Sequence, residues 1–290
     1  MEQAPQKACG GRNVSELKKR IVSAVVMIFA ALSFAWLGGG LFASFWAAAA
    51  IAIFWEWTRM AGVQTYFPRP CTVLLAAVSL MALAGIPHVP PGVNRVAVVV
   101  ALVFACLCIF TGKQARDRNW IASGICYAAV IAFFPPFLRE MPMHGLSNIL
   151  WVFAVVWATD IAAYFVGRTF GGPKLWPRVS PNKTWSGFFG GLVFGTLAGV
   201  SLVMFLQRDV IISQQLPWLL ITLFSAVASI LSQGGDLAES SLKRHFGVKD
   251  SSFLIPGHGG VMDRLDGFWS AVFFLGMCLI FTHMAYSWTY

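Results

Sequence analysis

The sequence predicts an all-α, polytopic transmembrane bundle of about nine spans, and three observations carry that expectation. Apolar residues make up 58% of the chain and charged residues only 11%, with a mean hydropathy of +0.70, whereas a soluble domain carries about 25% charge. The apolar residues gather in unbroken runs of roughly 17 to 22, the length a helix needs to cross about 30 Å of hydrocarbon. They do not form the amphipathic stripes of a water-soluble core. Short polar linkers between the runs hold almost all the basic residues.

In chain order, residues 1–20 form a polar, basic leader ending in Lys18-Lys19-Arg20. Ile21 to Leu37 has the look of a signal-peptide core. Gly38-Gly39-Gly40 leads straight into another apolar run with no Ala-x-Ala site, so this segment is expected to stay as the first span. The others are expected at 41–58, 71–87, 95–112, 119–138, 149–167, 187–206, 216–234 and 265–287. Glu56, near the end of the second, has Arg59 at i+3, which predicts an interfacial ion pair. The eighth span turns polar over Ser229 to Gly234, which fits a cytoplasmic helix as well as a span end. The organisation is therefore a leader (1–20), N-terminal spans (21–140) and a C-terminal transmembrane region (141–290), expected to be the catalytic part for the polar residues of its loop at 236–266.

A net charge of +9 on a soluble chain would point to nucleic acid. Here it reads as membrane topology, with no nucleic-acid partner. With the N-terminus in the cytoplasm, all but Arg95, Arg139 and Arg208 of the 21 Lys and Arg residues fall on the inside. That bias is what the positive-inside rule requires, and dropping one span would spoil it. The expected location is a multi-pass protein of the cell (inner) membrane, with loops 168–186 and 235–264 both facing the cytoplasm and free to meet. Six cysteines show no CxxC and no zinc spacing, so they read as small packing residues.

Polar chemistry is concentrated. Of twelve acidic residues, Asp236, Glu239, Asp250, Asp263 and Asp266 share one window with Lys243, Arg244, His245, Lys249, His258 and Arg264. Ionisable groups near membrane depth are costly and mark functional sites. Residues 233–247 read as a short helix ended by Gly247, with Asp236, Ser240 and Lys243 on one face. A carboxylate, a hydroxyl and an ammonium so arranged suit a metal-bound phosphate; a salt-bridged solvated helix is the bland alternative. Glycines around His258 leave backbone N–H groups free to approach an anion. Asp263 and Asp266 open the last span, where acids also simply cap a helix. Asp160 lies inside a span and should face a polar cavity or a partner. Gly167 to Gly172 reads as a loop, and with Ser180-Pro181-Asn182-Lys183-Thr184 it has the composition of a phosphate cradle. The order GxxxxGK[ST] is missing, which argues against a P-loop ATPase.

The run Ser240-x-Leu242-Lys243-Arg244-x₄-Lys249-Asp250-x-Ser252-x₂-Ile255-Pro256-x-His258-Gly259-Gly260-Val261-x-Asp263-Arg264-Leu265-Asp266 resembles the signature of phosphatidate cytidylyltransferases, also called CDP-diacylglycerol synthases. Asp160-x-Ala162-Ala163-Tyr164 and Ser180-Pro181-x-Lys183-Thr184 resemble further family motifs. One departure is Ser186, where many relatives carry Glu or Gln. The resemblance implies transfer from CTP to phosphatidate, giving CDP-diacylglycerol and pyrophosphate, in a homodimer among membrane lipids. It implies two cations, Mg²⁺ among them, on Asp236 and Asp263. Lys183, Lys243, Arg244, Lys249 and Arg264 become expected phosphate clamps. Asp250 and Asp266 would orient those cations or hold metal waters, Asp160, Ser180 and Ser240 would line the site, and His258 would contact phosphate or act from behind it. A transporter would spread its acids through several spans. A CDP-alcohol phosphotransferase would need an Asp-Gly-x₂-Ala-Arg run, which is missing. A CTP-dependent polyprenol kinase would move the γ-phosphate instead.

Overall fold

A computed structural model describes residues 10–88, 91–142, 144–206 and 218–287. Lys7, Cys9, Arg208 and the start of the eighth expected span lie outside these residues. The helices are α1 (Gly10–Leu37), α2 (Gly39–Met60), α3 (Arg69–Gly85), α4 (Pro91–Phe110), α5 (Ala115–Arg139), α6 (Gly145–Phe170), α7 (Trp185–Phe205), α8 (Trp218–His245) and α9 (Met262–Ser287). The only described strands, β1 (Lys174–Trp176) and β2 (Ser180–Thr184), form an antiparallel hairpin between α6 and α7. The all-α expectation stands, and the chain is an integral multi-pass membrane protein.

Eight described helices are long and apolar enough to cross a bilayer, while the apolar stretch of α4, Asn94–Phe110, is shorter. Yet α4 runs the full depth. Its 20 residues reach about 30 Å at 1.5 Å per residue. It lies antiparallel to α3, where Ser79 Oγ donates to Ala101 O at 2.9 Å. At one end, Tyr66 N donates to Thr111 O at 2.8 Å and Lys113 N to Gln64 O at 3.0 Å, tying the α2–α3 loop to the α4–α5 loop. At the opposite end, Arg139 Nε donates to Ala35 O at 2.7 Å and His88 lies 3.4 Å from Glu140. The nine helices therefore run in alternating directions, reversing eight times, as the charge bias requires.

Two boundaries differ from the sequence reading. Residues 167–170 continue α6, and the turn begins only at Gly171, whose φ of 61° favours glycine. The eighth span and the signature helix are one continuous helix of 28 residues. Ser229 to Gly234 look polar because that face packs inward: Ser229 and Ser232 are fully buried, and Ser229 Oγ lies 2.8 Å from Thr159 Oγ1 of α6. The stop at Gly247 is as expected. Val248 N bonds Lys243 O and Gly247 N bonds Arg244 O, a Schellman motif with φ 70° at Gly247.

An aromatic column locks the N-terminal spans to α9. Trp46 stacks on Phe268 at 4.8 Å, Trp57 on Tyr127 at 5.2 Å and Tyr127 on Trp269 at 4.9 Å. Such pairs add about 0.5–1.5 kcal/mol each beyond their burial. On α7, Gly187, Gly191, Gly195 and Gly199 form the buried face. A Cβ at Gly195 would come within 2.1 Å of Thr159 Oγ1, so these glycines let α7 close on α6 and α8. The five described cysteines are all unpaired.

Candidate active site

The loops at 171–184 and 246–261 do meet. They close the same end of the bundle, where α6 and α8 finish and α7 and α9 begin, and they roof a cleft of about 1050 Å³. Its lining carries five carboxylates, Asp160, Asp236, Asp250, Asp263 and Asp266, and five cations, Arg168, Lys174, Lys183, Lys243 and Arg264. They arrive on several separate elements. The hairpin projects Lys183 one residue before Thr184, which N-caps α7 by accepting from Gly187 N at 3.1 Å. The last turns of α8 supply Asp236 and Lys243, and the first turns of α9 supply Asp263, Arg264 and Asp266.

Two lysines pair with three acids at the centre. Lys183 Nζ sits 2.5 Å from Asp236 Oδ2. Lys243 Nζ sits 2.6 Å from Asp263 Oδ1 and 3.0 Å from Glu239 Oε1. Asp263 also accepts from Gly260 N at 2.8 Å and from Ser251 N and Oγ, each at 3.0 Å. The glycine loop thus differs from the expectation of amides open to an outside anion, since Gly260 gives its N–H to the chain's own carboxylate. Gly259, at φ 88°, admits Asp263 closely: a Cβ there would lie 2.7 Å from Oδ2.

Other expected residues lie apart from the cleft lining. Ser240 supports from behind, donating to Asp236 Oδ1 at 3.4 Å. Ser180 begins β2 and Lys249 is exposed on the loop. Arg244 braces backbone, donating from Nη1 to Val248 O at 3.1 Å and from Nε to Val179 O at 3.4 Å. Its guanidinium is occupied in fixing the loop to the hairpin. His258 faces α1, with Nδ1 2.7 Å from Ser23 Oγ. Partial burial, and then the charge of Arg264, hold its pKa below the ordinary value, so the ring is neutral at pH 7. Ser186, the departure from the family pattern, donates to Gly171 O and closes the turn after α6.

Three residues were missed. Arg168 and Lys174 counted only as topological charges, yet both line the cleft. Glu56 does not pair with Arg59, whose guanidinium sits 5.3 Å over the Trp55 ring. It is fully buried and accepts from Val261 N and Met262 N at 2.8 Å each, from Ser251 Oγ at 3.1 Å and from Ser252 Oγ at 2.5 Å.

A second, mostly apolar groove of about 560 Å³ runs from the cleft between α1, α2, α6 and α9. Asp160, Arg264 and Asp266 line both spaces. A polar chamber that suits a polyanion with cations thus opens into an apolar slot.

Residues 18–282 match the model of the cytidylyltransferase family. The phosphatidate cytidylyltransferase of Brucella suis is 41% identical over 257 residues, covering 88% of this chain and 90% of that protein. The proteins of the same name from Staphylococcus epidermidis and Bacillus subtilis are 46% and 41% identical over half of this chain, and cover 54% and 50% of their own lengths. With the signature's acids and lysines paired across one cleft, and with likeness running from the first span to the last, this chain belongs to the cytidylyltransferase family.

Proposed function

We propose that the chain converts CTP and phosphatidate to CDP-diacylglycerol and pyrophosphate, and that it does so by managing negative charge. The observation that carries this reading is the junction of polar cleft and apolar groove at Asp160, Arg264 and Asp266. A triphosphate has room among the cleft's cations. Phosphatidate has its phosphate at the junction and its acyl chains in the groove, against Phe45, Ala49, Phe153, Trp157 and Leu265.

The lipid phosphate is already anionic at neutral pH, so no strong base is needed. One of its oxygens attacks the α-phosphorus of CTP in line. A new P–O bond forms, the bond from the α-phosphorus to the bridging oxygen breaks, and pyrophosphate leaves with the electron pair. Asp236 and Asp263 would hold divalent cations, Mg²⁺ in the first place, which when bound neutralise the triphosphate and polarise its α-phosphate. The donor set fits. Among the described residues no three His, Cys, Asp or Glu side chains converge to cage an ion, and Mg²⁺ at phosphoryl sites is held by one or two carboxylates with substrate oxygens. Lys183 and Lys243 neutralise these two carboxylates before any substrate is bound. Substrate arrival frees both ammonium groups to bind phosphate oxygens, so the carboxylates are never left uncompensated. Arg264, Arg168 and Lys174 extend the clamp toward solvent.

The basic bias of the loops supports a cytoplasmic site and N-terminus in the cell membrane. The homodimer implied by the family resemblance belongs to the same proposal. The experiment is transfer in detergent from CTP labelled at the α- or the γ-phosphate. α-Label in lipid is expected; γ-label alone in lipid would make the enzyme a kinase. Lys183→Ala removes the ammonium from Asp236 at a solvated hairpin, and turnover is expected to drop by roughly a hundredfold. Thermal unfolding of the solubilised protein should be unchanged; a matching loss of folded protein would contradict the role.

A further inference from the structure

We infer that Glu56 is a positioning residue for this reaction: a buried carboxylate on α2 that holds the loop 251–262 and thereby sets where Asp263 stands. The inference rests on the reading that Asp263 serves transfer, and it names a residue outside the signature by almost 200 positions.

Both oxygens of Glu56 are filled. Oε1 accepts from Val261 N and Ser252 Oγ, and Oε2 from Met262 N and Ser251 Oγ. Val261 and Met262 stand at the start of α9, where amides have no partner within the helix. The helix that carries Asp263 and Asp266 is thus pinned at its first residue by an acid from another span. Ser251 extends the link. Its hydroxyl lies 3.1 Å from Glu56 and 3.0 Å from Asp263 Oδ2, and its amide donates to Asp263 as well. One hydroxyl proton serves two carboxylates, so moving Glu56 reaches Asp263 through a single residue. Gly260 completes the fit: a Cβ there would fall 2.5 Å from Glu56 Oε1.

An ion-pair role does not account for this, because Arg59 is turned to Trp55. Stability also calls for an acceptor here, since an apolar residue of similar size would leave two amides and two hydroxyls buried without one, so the two roles are separated by turnover read beside folding.

The test is Glu56→Gln in the full-length protein. The amide is isosteric, but each of the two oxygens receives a backbone N–H, so one donor must face another whichever way the Gln side chain is turned. The turnover number is expected to fall about 10- to 100-fold while the KM for CTP changes little. Hydrogen exchange should quicken in the peptide covering 250–262 and stay as in wild type at the far end of α5. Ser251→Ala should cost much less in the Glu56→Gln background than alone, since both act along one link. Unchanged turnover overturns the inference, whatever the exchange shows. So does lost protection across the whole bundle, or additive losses in the double variant. If Glu56→Gln is not recovered from membranes, Ser252→Ala removes one donor and leaves both amides bonded. About a fivefold loss of turnover is then expected, and no loss overturns the inference. Should wild-type protein put only γ-label into lipid, the proposed reaction falls, while the same comparisons of exchange and turnover still decide whether Glu56 sets the site.

Discussion

Asp263→Asn will abolish nucleotidyl transfer while the bundle still folds, with a loss of roughly a thousandfold or more. Asp263 accepts from Lys243, Ser251 and Gly260. Asparagine keeps the shape, yet one of its two positions becomes a donor that must face Lys243 or a loop amide. On the proposed mechanism it would also lack the charge to receive a cation once Lys243 moved to phosphate. The fold survives because Lys243 keeps Glu239 at 3.0 Å, and the stability lost is that of unmade bonds, about 1–3 kcal/mol. Asp236→Asn should be as damaging to turnover and gentler on stability, since its partner Lys183 is a quarter exposed. Both variants are checked by label transfer from the α-phosphate beside a melting curve. If both kept near-normal turnover with Mg²⁺, the assignment of these two carboxylates would be wrong.

The parts of this molecule that were legible in the sequence are those set by local rules. Bilayer thickness fixes span length, so nine spans could be placed, and loop charge fixed their alternation. Gly247 could be read as a stop because only a left-handed residue closes a Schellman turn. What failed did so where tertiary packing overrides local pattern. Ser229 and Ser232 looked like the edge of water, yet they are buried against α6 and α9, and α8 continues through them. Residues 167–170 looked like a glycine loop, but the helix runs on because Gly167 packs against Gly187 of α7. Arg244 stands beside Lys243 in the signature, yet the helix turns it by about 100° toward the hairpin backbone. Glu56 was misread because i+3 spacing offers a partner at no cost, while its real partners lie some 200 residues away. The signal was present: an acid inside an apolar span is functional until shown otherwise.

The spacing of α8 from α9 gives a sharper test of the geometry than any charged residue. Gly234 and Gly235 adjoin each other, one residue before Asp236. A Cβ on Gly235 would lie 2.1 Å from Ser270 Oγ and 2.6 Å from the backbone O of Asp266; a Cβ on Gly234 would meet nothing within 4 Å. The carbonyl cannot rotate away, so Gly235→Ala must push α8 off α9. Overpacking of this kind costs about 1–3 kcal/mol, which a nine-span bundle tolerates. The chemistry is less forgiving, because the same shift carries Asp236 away from Asp263, and a misplacement of about 1 Å costs on the order of a hundredfold in rate. Gly234→Ala should leave turnover near wild type and stabilise α8 by up to about 1 kcal/mol, the helix preference of alanine over glycine. Adding Ser270→Ala to Gly235→Ala should restore little, since the Asp266 carbonyl remains in place. The pair is read by turnover and melting of both alanine variants. Equal activity in the two would mean that the acids act without the close approach of α8 and α9, and the paired-carboxylate mechanism would lose its geometric basis.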